Sequence, residues 1–223
     1  MAALKARVRS FKFMLNSCPE GFLPKELTVL VQRSLIEVLE QLSKLEPKEK
    51  SHSQDMQVLS GLLAETQRQN RPAKSASLEN QQQIKEARIC LEELHRFIFH
   101  QESRKVLPRN QAEAYRNQIR QLVLQLAVDG YSLNGRLAKQ KGKIKLAIHY
   151  YDLALNLLVR EQKGNNNQAS IERLRAITDE LKAKLDASDT TSPTAGSGEP
   201  VVSNEWNKFG ENTETWKKKN VYD

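Results

Sequence analysis

Leucine, isoleucine and valine recur at intervals of three and four along most of this chain, and that period decides what kind of fold it can reach. Leu27, Val31, Leu35, Leu39 and Leu42 form one such stripe, and Ile84, Ala87, Leu91, Leu94 and Ile98 form another. At ~3.6 residues per turn these positions line one side of an α-helix, whereas a half-buried strand needs apolar residues at every second position. Alternating β-branched runs are nearly absent, and glycine and proline are scarce through the body of the chain. The pattern predicts an all-α protein, either an antiparallel helical bundle or a repeat-like helical array.

Helix boundaries follow from the punctuation. A short basic segment at 4–15 comes first, and Pro24 suits the first turn of the helix over Leu27 to Leu42, which ends before Pro47. Ser53 is a candidate cap for a weaker helix holding Met56, Leu59 and Leu63, and 67–77 reads as a linker. A longer helix is expected over 79–104, closed by Pro108, which cannot continue a helical ladder. Asn110 with Glu113 three residues on resembles a capping box, opening a helix through Tyr115, Ile119, Leu122, Leu126 and Leu133 that lasts until Gly142 allows a turn. Two more stripes follow: Ile144, Ala147, Ile148, Tyr151, Leu155 and Leu158, then, after a loop at Gly164, Ile171, Leu174, Ile177, Leu181 and Leu185. From Ser188 onward serine, threonine, proline and glycine dominate, a composition with too little apolar surface to offset its ordering entropy. The expected organisation is therefore N-terminal helices and a linker at 1–78, a helical core at 79–187, and a disordered acidic tail at 188–223.

Several function classes lose support. No apolar run approaches the ~18 to 20 residues of a membrane span. Lys5, Arg7, Arg9 and Lys12 interrupt the first residues where a secretory signal would carry its apolar core, so a cytoplasmic location is expected. Cys18 and Cys90 have no metal or redox spacing and read as ordinary thiols. There is no phosphate loop, dinucleotide glycine pattern, HExxH or nucleophile motif, so neither catalysis nor a cofactor is expected. Glu92 and His95 form an E-x-x-H pair, half of what a di-iron bundle uses, but the second copy and the further inward glutamates are missing, and His52, His100 and His149 show no ligand spacing.

Residues 128–159 carry a more specific pattern. Tyr131 and Gly135 stand four apart, Gly142 marks a turn, and Ala147, Tyr151 and Ala154 follow at helical spacing. This segment resembles a single tetratricopeptide repeat, a helix-turn-helix unit of ~34 residues. The resemblance implies a hairpin in which small residues let two backbones approach, with Ala147 facing Gly135 and the two tyrosines wedged against neighbouring turns. Asn134, Ala138 and Val159 depart from the family's usual leucine, aromatic and proline. No second copy recurs at a fixed period, and a lone hairpin leaves an apolar face uncovered, so the helix over Ile171 to Leu185 is expected to cap one side and upstream helices the other. The resemblance also implies that the inner face of the first helix holds a peptide, which would align Ser132, Arg136 and Lys139.

The net charge is +8, and its placement is uneven. Between Arg104 and Lys145 lie ten lysines and arginines against only Glu113 and Asp129. Arg136, Lys139, Lys141, Lys143 and Lys145 straddle the hairpin turn without an intervening acid, a pattern suited to an acidic peptide or C-terminal carboxylate. Together with Arg104, Lys105, Arg109, Arg116 and Arg120, the same run would serve nucleic-acid phosphates through a salt-sensitive, largely electrostatic contact. Both tryptophans, Trp206 and Trp216, lie beyond the Ser/Thr-rich stretch, with Phe209 three residues from the first. Aromatic residues of this kind are enriched at binding hot spots, so the tail is expected to carry a docking motif. Lys217, Lys218 and Lys219 beside Trp216, with the basic segment at 4–15, also suggest membrane-surface attachment as a lesser reading. The sequence thus points to a non-catalytic protein-interaction adaptor, with nucleic-acid association as the alternative.

Overall fold

A computed structural model describes residues 1–19, 21–68, 78, 80–160 and 167–189. Among the described residues the fold is all-helical, with seven helices and no strand. They are α1 (Ala2–Asn16), α2 (Lys25–Leu45), α3 (Lys50–Arg68), α4 (Gln81–Ser103), α5 (Arg109–Gln140), α6 (Ile144–Arg160) and α7 (Gln168–Asp189). Contacts group the chain into two compact units, Met1–Leu133 and Asn134–Asp223, so the division falls inside α5 rather than at a change of composition. The Gly164 loop, most of the 67–77 linker and the tail beyond 189 lie outside the described residues.

In the first unit, α1 packs on α2 and α4, and α2 packs on α3. Leu27, Val31, Leu35 and Leu39 of α2 are completely buried, with Val38 and Leu42 nearly so, which is the stripe expected from the period of the sequence. Burying a leucine side chain contributes roughly 1.5–3 kcal/mol, so this helix anchors the unit. The neighbours run antiparallel, as paired ends show. Lys5 Nζ near the start of α1 donates to Glu46 Oε1 just past the end of α2 at 2.8 Å, and Lys25 Nζ at the start of α2 donates to the Gln67 carbonyl at the end of α3 at 2.7 Å. On the other side of α1, the rings of Phe11 and Phe97 meet edge to face at 5.1 Å and 87°, and the Cys90 thiol donates to the Met14 carbonyl at 3.4 Å. In α5, the buried carboxylate of Asp129 accepts from the Leu78 backbone N–H at 3.1 Å and from Gln125 Nε2 at 2.9 Å, which ties the approach to α4 onto α5.

Several helix starts differ from the expected ones. Pro24 is the N-cap residue of α2 and lies just before its first turn. Ser53 does not cap α3, which begins at Lys50; its hydroxyl donates back to the Lys50 carbonyl, inside the first turn. The capping box at Asn110 is likewise not formed. Helix α5 begins one residue earlier, with Ala112 N–H donating to the Pro108 carbonyl, so Asn110 is already helical and its Oδ1 accepts from the Gln111 N–H. Proline at that position, with its φ preset, starts the helix before asparagine can cap it.

The C-terminal ends of α4 and α5 close in the same way. After α4, Val106 N–H donates to Gln101 O and Lys105 N–H to Glu102 O; after α5, Lys143 N–H donates to Ala138 O and Gly142 N–H to Lys139 O. These paired bonds form Schellman caps, which require a left-handed residue at the reversal. Gly142 meets that requirement with φ 71°, whereas Lys105 is forced to φ 58°. A left-handed conformation costs a side chain with a Cβ about 1 kcal/mol. Lys105→Gly is therefore expected to raise the unfolding free energy by about 1 kcal/mol in chemical denaturation, and Gly142→Ala to lower it by at least about 1 kcal/mol. Changes of the same sign at the two positions would contradict this account of the caps.

Candidate functional site

The second unit holds the cationic turn. It contains the end of α5, the Gly142 reversal, α6 and α7; α6 and α7 pack together, and Ala147, Tyr151, Ala154 and Leu158 of α6 and Ile171, Leu174 and Leu181 of α7 are buried. Helix α7 thus covers the hairpin as expected. Ile148, Leu155, Ile177 and Leu185 are only half-buried, at the edges of the two stripes.

The close approach within the hairpin is set by glycine against tyrosine. A methyl group added at Gly135 would stand 2.9 Å from Cζ of Tyr151 and 3.0 Å from both of its ring Cε atoms. The Tyr151 ring is what a side chain at Gly135 would meet first: a missing side chain on α5 makes room for the ring, and Ala147 is buried as well. Burial pushes the Tyr151 phenol above its ordinary pKa, an effect that the positive charge of Arg136 partly opposes. Ala138, where the family pattern has an aromatic residue, is buried, so this position suits a small side chain.

Arg136, Lys139, Lys141, Lys143 and Lys145 are all exposed. Lys139 Nζ lies 3.7 Å from Glu180 Oε1 of α7, and Lys182 of α7 reaches Asp152 of α6 at 3.8 Å. Lys184, then Lys139, hold the Glu180 carboxyl below the usual carboxylate range. No carboxylate among the described residues forms an ion pair with Arg136, Lys141, Lys143 or Lys145. Four cations at the turn thus remain available to an external anion, while Lys139 is shared with Glu180. Glu180 and Asp152 escaped the sequence reading because nothing local connects position 139 with position 180; only the return of α7 brings them together.

Ser132 is half-buried and lies on the part of α5 that belongs to the first unit. Trp206, Phe209 and Trp216 lie outside the described residues. The remaining basic residues of the proposed strip belong to the first unit, where two of them have side-chain partners. Arg116 holds Glu102 through both guanidinium nitrogens, lowering that carboxyl's pKa, and Arg120 donates to Asn117 Oδ1 at 3.0 Å. Part of this set is thus engaged within the fold.

The E-x-x-H pair is occupied by other interactions. Glu92 lies 3.3 Å from Arg88 and 3.9 Å from Arg96, and among the described residues no group of three or more His, Cys, Asp and Glu side chains is placed to hold a metal. His95 is pushed below its ordinary pKa by burial and then by Arg116 and Arg120. No helix among the described residues is long and apolar enough to cross a membrane. A groove of about 200 Å³ between α1 and α4 is lined by Phe11, Met14 and Phe97, with Arg7, Glu93 and Arg96 around it, and is widely open to solvent.

In comparisons with known proteins, the chain matches no family model, no curated protein and no solved structure.

Two outcomes test this geometry. Gly135→Ala is expected to cost about 1–3 kcal/mol of stability by overpacking, and much less in a Tyr151→Leu background, because the smaller side chain leaves room for the methyl group. In an NMR titration, His95 is expected to take up its proton below the usual histidine pKa of ~6.5. Because its folded-state pKa is depressed, the stability linked to His95 is present above the unfolded-state value and is lost as pH falls from there through the folded value. Replacing His95 with glutamine should flatten that acid limb, and an unchanged slope would assign it to other groups.

Proposed function

We propose that this chain is a non-catalytic protein-interaction adaptor whose second unit offers the cationic turn at 136–145 to an acidic peptide segment or a C-terminal carboxylate. The observation that carries this reading is the exposure of Arg136, Lys141, Lys143 and Lys145 without an ion-pair partner among the described residues, on a hairpin locked by Gly135 against Tyr151. A rigid helix end with an array of cations orients an anionic partner at small entropic cost, because the backbone carrying the charges is already ordered. Lysine suits such a surface: it is a flexible point charge that tolerates varied carboxylate positions, whereas arginine favours fixed bidentate geometry. Trp206, Phe209 and Trp216 supply the second half of the proposal, a short aromatic motif through which the tail engages another partner. A cytoplasmic setting fits this role.

The alternative, electrostatic binding of nucleic acid, uses the same lysines and is distinguished by its salt dependence. Fluorescence anisotropy of a labelled acidic peptide and of a single-stranded DNA of matched charge, both titrated with the full chain, separates the two. The adaptor reading predicts tighter peptide binding, weakened about tenfold or more, ~1.4 kcal/mol, by Lys141→Glu, Lys143→Glu and Lys145→Glu together, and little changed by truncation after Ala187. Preference for DNA with a steep loss of affinity on adding salt would transfer the assignment to nucleic acid, and binding of neither probe would remove the turn as a site.

A further inference from the structure

The basic run at the turn divides at Lys139. Its Nζ stands 3.7 Å from Glu180 Oε1, whereas Arg136, Lys141, Lys143 and Lys145 form no ion pair among the described residues. That separation exceeds the ~2.7–2.9 Å of a full charge-assisted hydrogen bond, so Lys139 and Glu180 attract each other without being locked together. Glu180 also has a closer partner: Lys184 Nζ, one turn further along α7, donates to the same oxygen at 2.5 Å. The Lys139 side chain is 40% exposed and that of Glu180 51%, so an incoming group can reach either. The backbone beneath Glu180 is held in place, because Leu174, Thr178 and Leu181 of the same helix are buried. A change of partner therefore falls to the side chains.

We propose that Glu180 is an internal competitor within the cationic site: it occupies Lys139 in the free chain, and a carboxylate of a bound acidic segment takes its place there, making Lys139 the fifth cation of the contact. This inference rests on the reading of the turn as a site for acidic peptides.

The exchange leaves no charge without a partner. Lys139 passes from one carboxylate to another, and Glu180 keeps Lys184. Exposed ion pairs contribute little to stability, so the ligand has no strong interaction to break. Lys184, then Lys139, hold the Glu180 carboxyl below the usual carboxylate range, so Glu180 is an anion wherever the carboxylates of a peptide are. Its effect is to set a threshold. A segment with one carboxylate is satisfied by the unpaired lysines and meets the like charge of Glu180 beside them. A segment with several carboxylates displaces Glu180 toward Lys184 and gains Lys139. Clustered acids are thus favoured over isolated ones, with repulsion contributing to the discrimination as well as attraction.

The test follows the fluorescence anisotropy of a labelled oligoglutamate peptide titrated with the full chain and with Glu180→Gln, Asp179→Asn, Lys139→Gln and the Lys139→Gln, Glu180→Gln double variant. Asp179 is the control, an exposed neighbour on α7 without an ion pair among the described residues, whose replacement removes the same charge. Glu180→Gln is expected to tighten binding about threefold, Asp179→Asn much less, and Lys139→Gln to weaken binding and abolish most of the gain from Glu180→Gln. In the free chain, NMR titration of the Glu180 carboxyl is expected to show its pKa rising in Lys139→Gln, because one of the charges that depress it is gone. Equal tightening by Asp179→Asn and Glu180→Gln, a gain that survives intact in the Lys139→Gln background, or an unchanged Glu180 titration would each overturn the competitor while leaving the turn as a peptide site. Binding of the peptide by none of the variants would remove the site and the competitor together.

Discussion

An amphipathic helix with a wide apolar stripe has to be covered, and in the first unit that requirement falls on α2. Its leucines and valines from Leu27 to Leu42 are out of solvent because α1 lies against one part of the stripe and α3 against another. Neither neighbour is strongly apolar itself: α1 contributes the buried Phe11 and Met14, and α3 only Leu59. Their place is secured at the ends by polar contacts. Lys5 and then His52 converge on Glu46 and hold its carboxyl below the usual carboxylate range, while Lys12 reaches Asp55 at 2.6 Å. Exposed ion pairs of this sort contribute little to stability, and their effect here is to select the antiparallel register in which the apolar surfaces meet.

The two Schellman caps show how the same geometric problem is met with different residues. Reversing the chain after a helix needs positive φ, and the backbone bonds that close the cap are worth enough to impose it on Lys105 as well as on Gly142. At the second reversal glycine leaves the turn free of strain, and that turn carries Lys139, Lys141, Lys143 and Lys145 at every second position. A well-formed reversal with cations on both flanks keeps its charges at the surface, where the backbone supplies the rigidity and the side chains supply the reach.

The hairpin resemblance and the cationic turn are linked by packing. Gly135 admits the Tyr151 ring, Tyr151 joins the face of α6 that α7 covers, and α7 returns Glu180 to Lys139. That return divides the basic run into a lysine already shared with the fold and four cations available to a partner.

Apolar period, proline and glycine positions were enough to place most of the helices, because each is a local property of a few turns: the stripes of α2 and α4 and the reversal at Gly142 are legible without knowing what they touch. Caps were less legible, since Ser53 and Asn110 each compete with a neighbouring start, at Lys50 and at Pro108, and the difference between the competitors is small. Partners distant in the sequence were not legible at all. That the Tyr151 ring meets Gly135, that Glu180 reaches Lys139 and that Arg116 is taken up by Glu102 depend on how helices cross. The sequence by itself determined an all-helical chain with a basic turn, because helical period and charge are written residue by residue; only the tertiary structure decided which charges find each other, because those pairings arise when apolar stripes are buried and no local pattern encodes them.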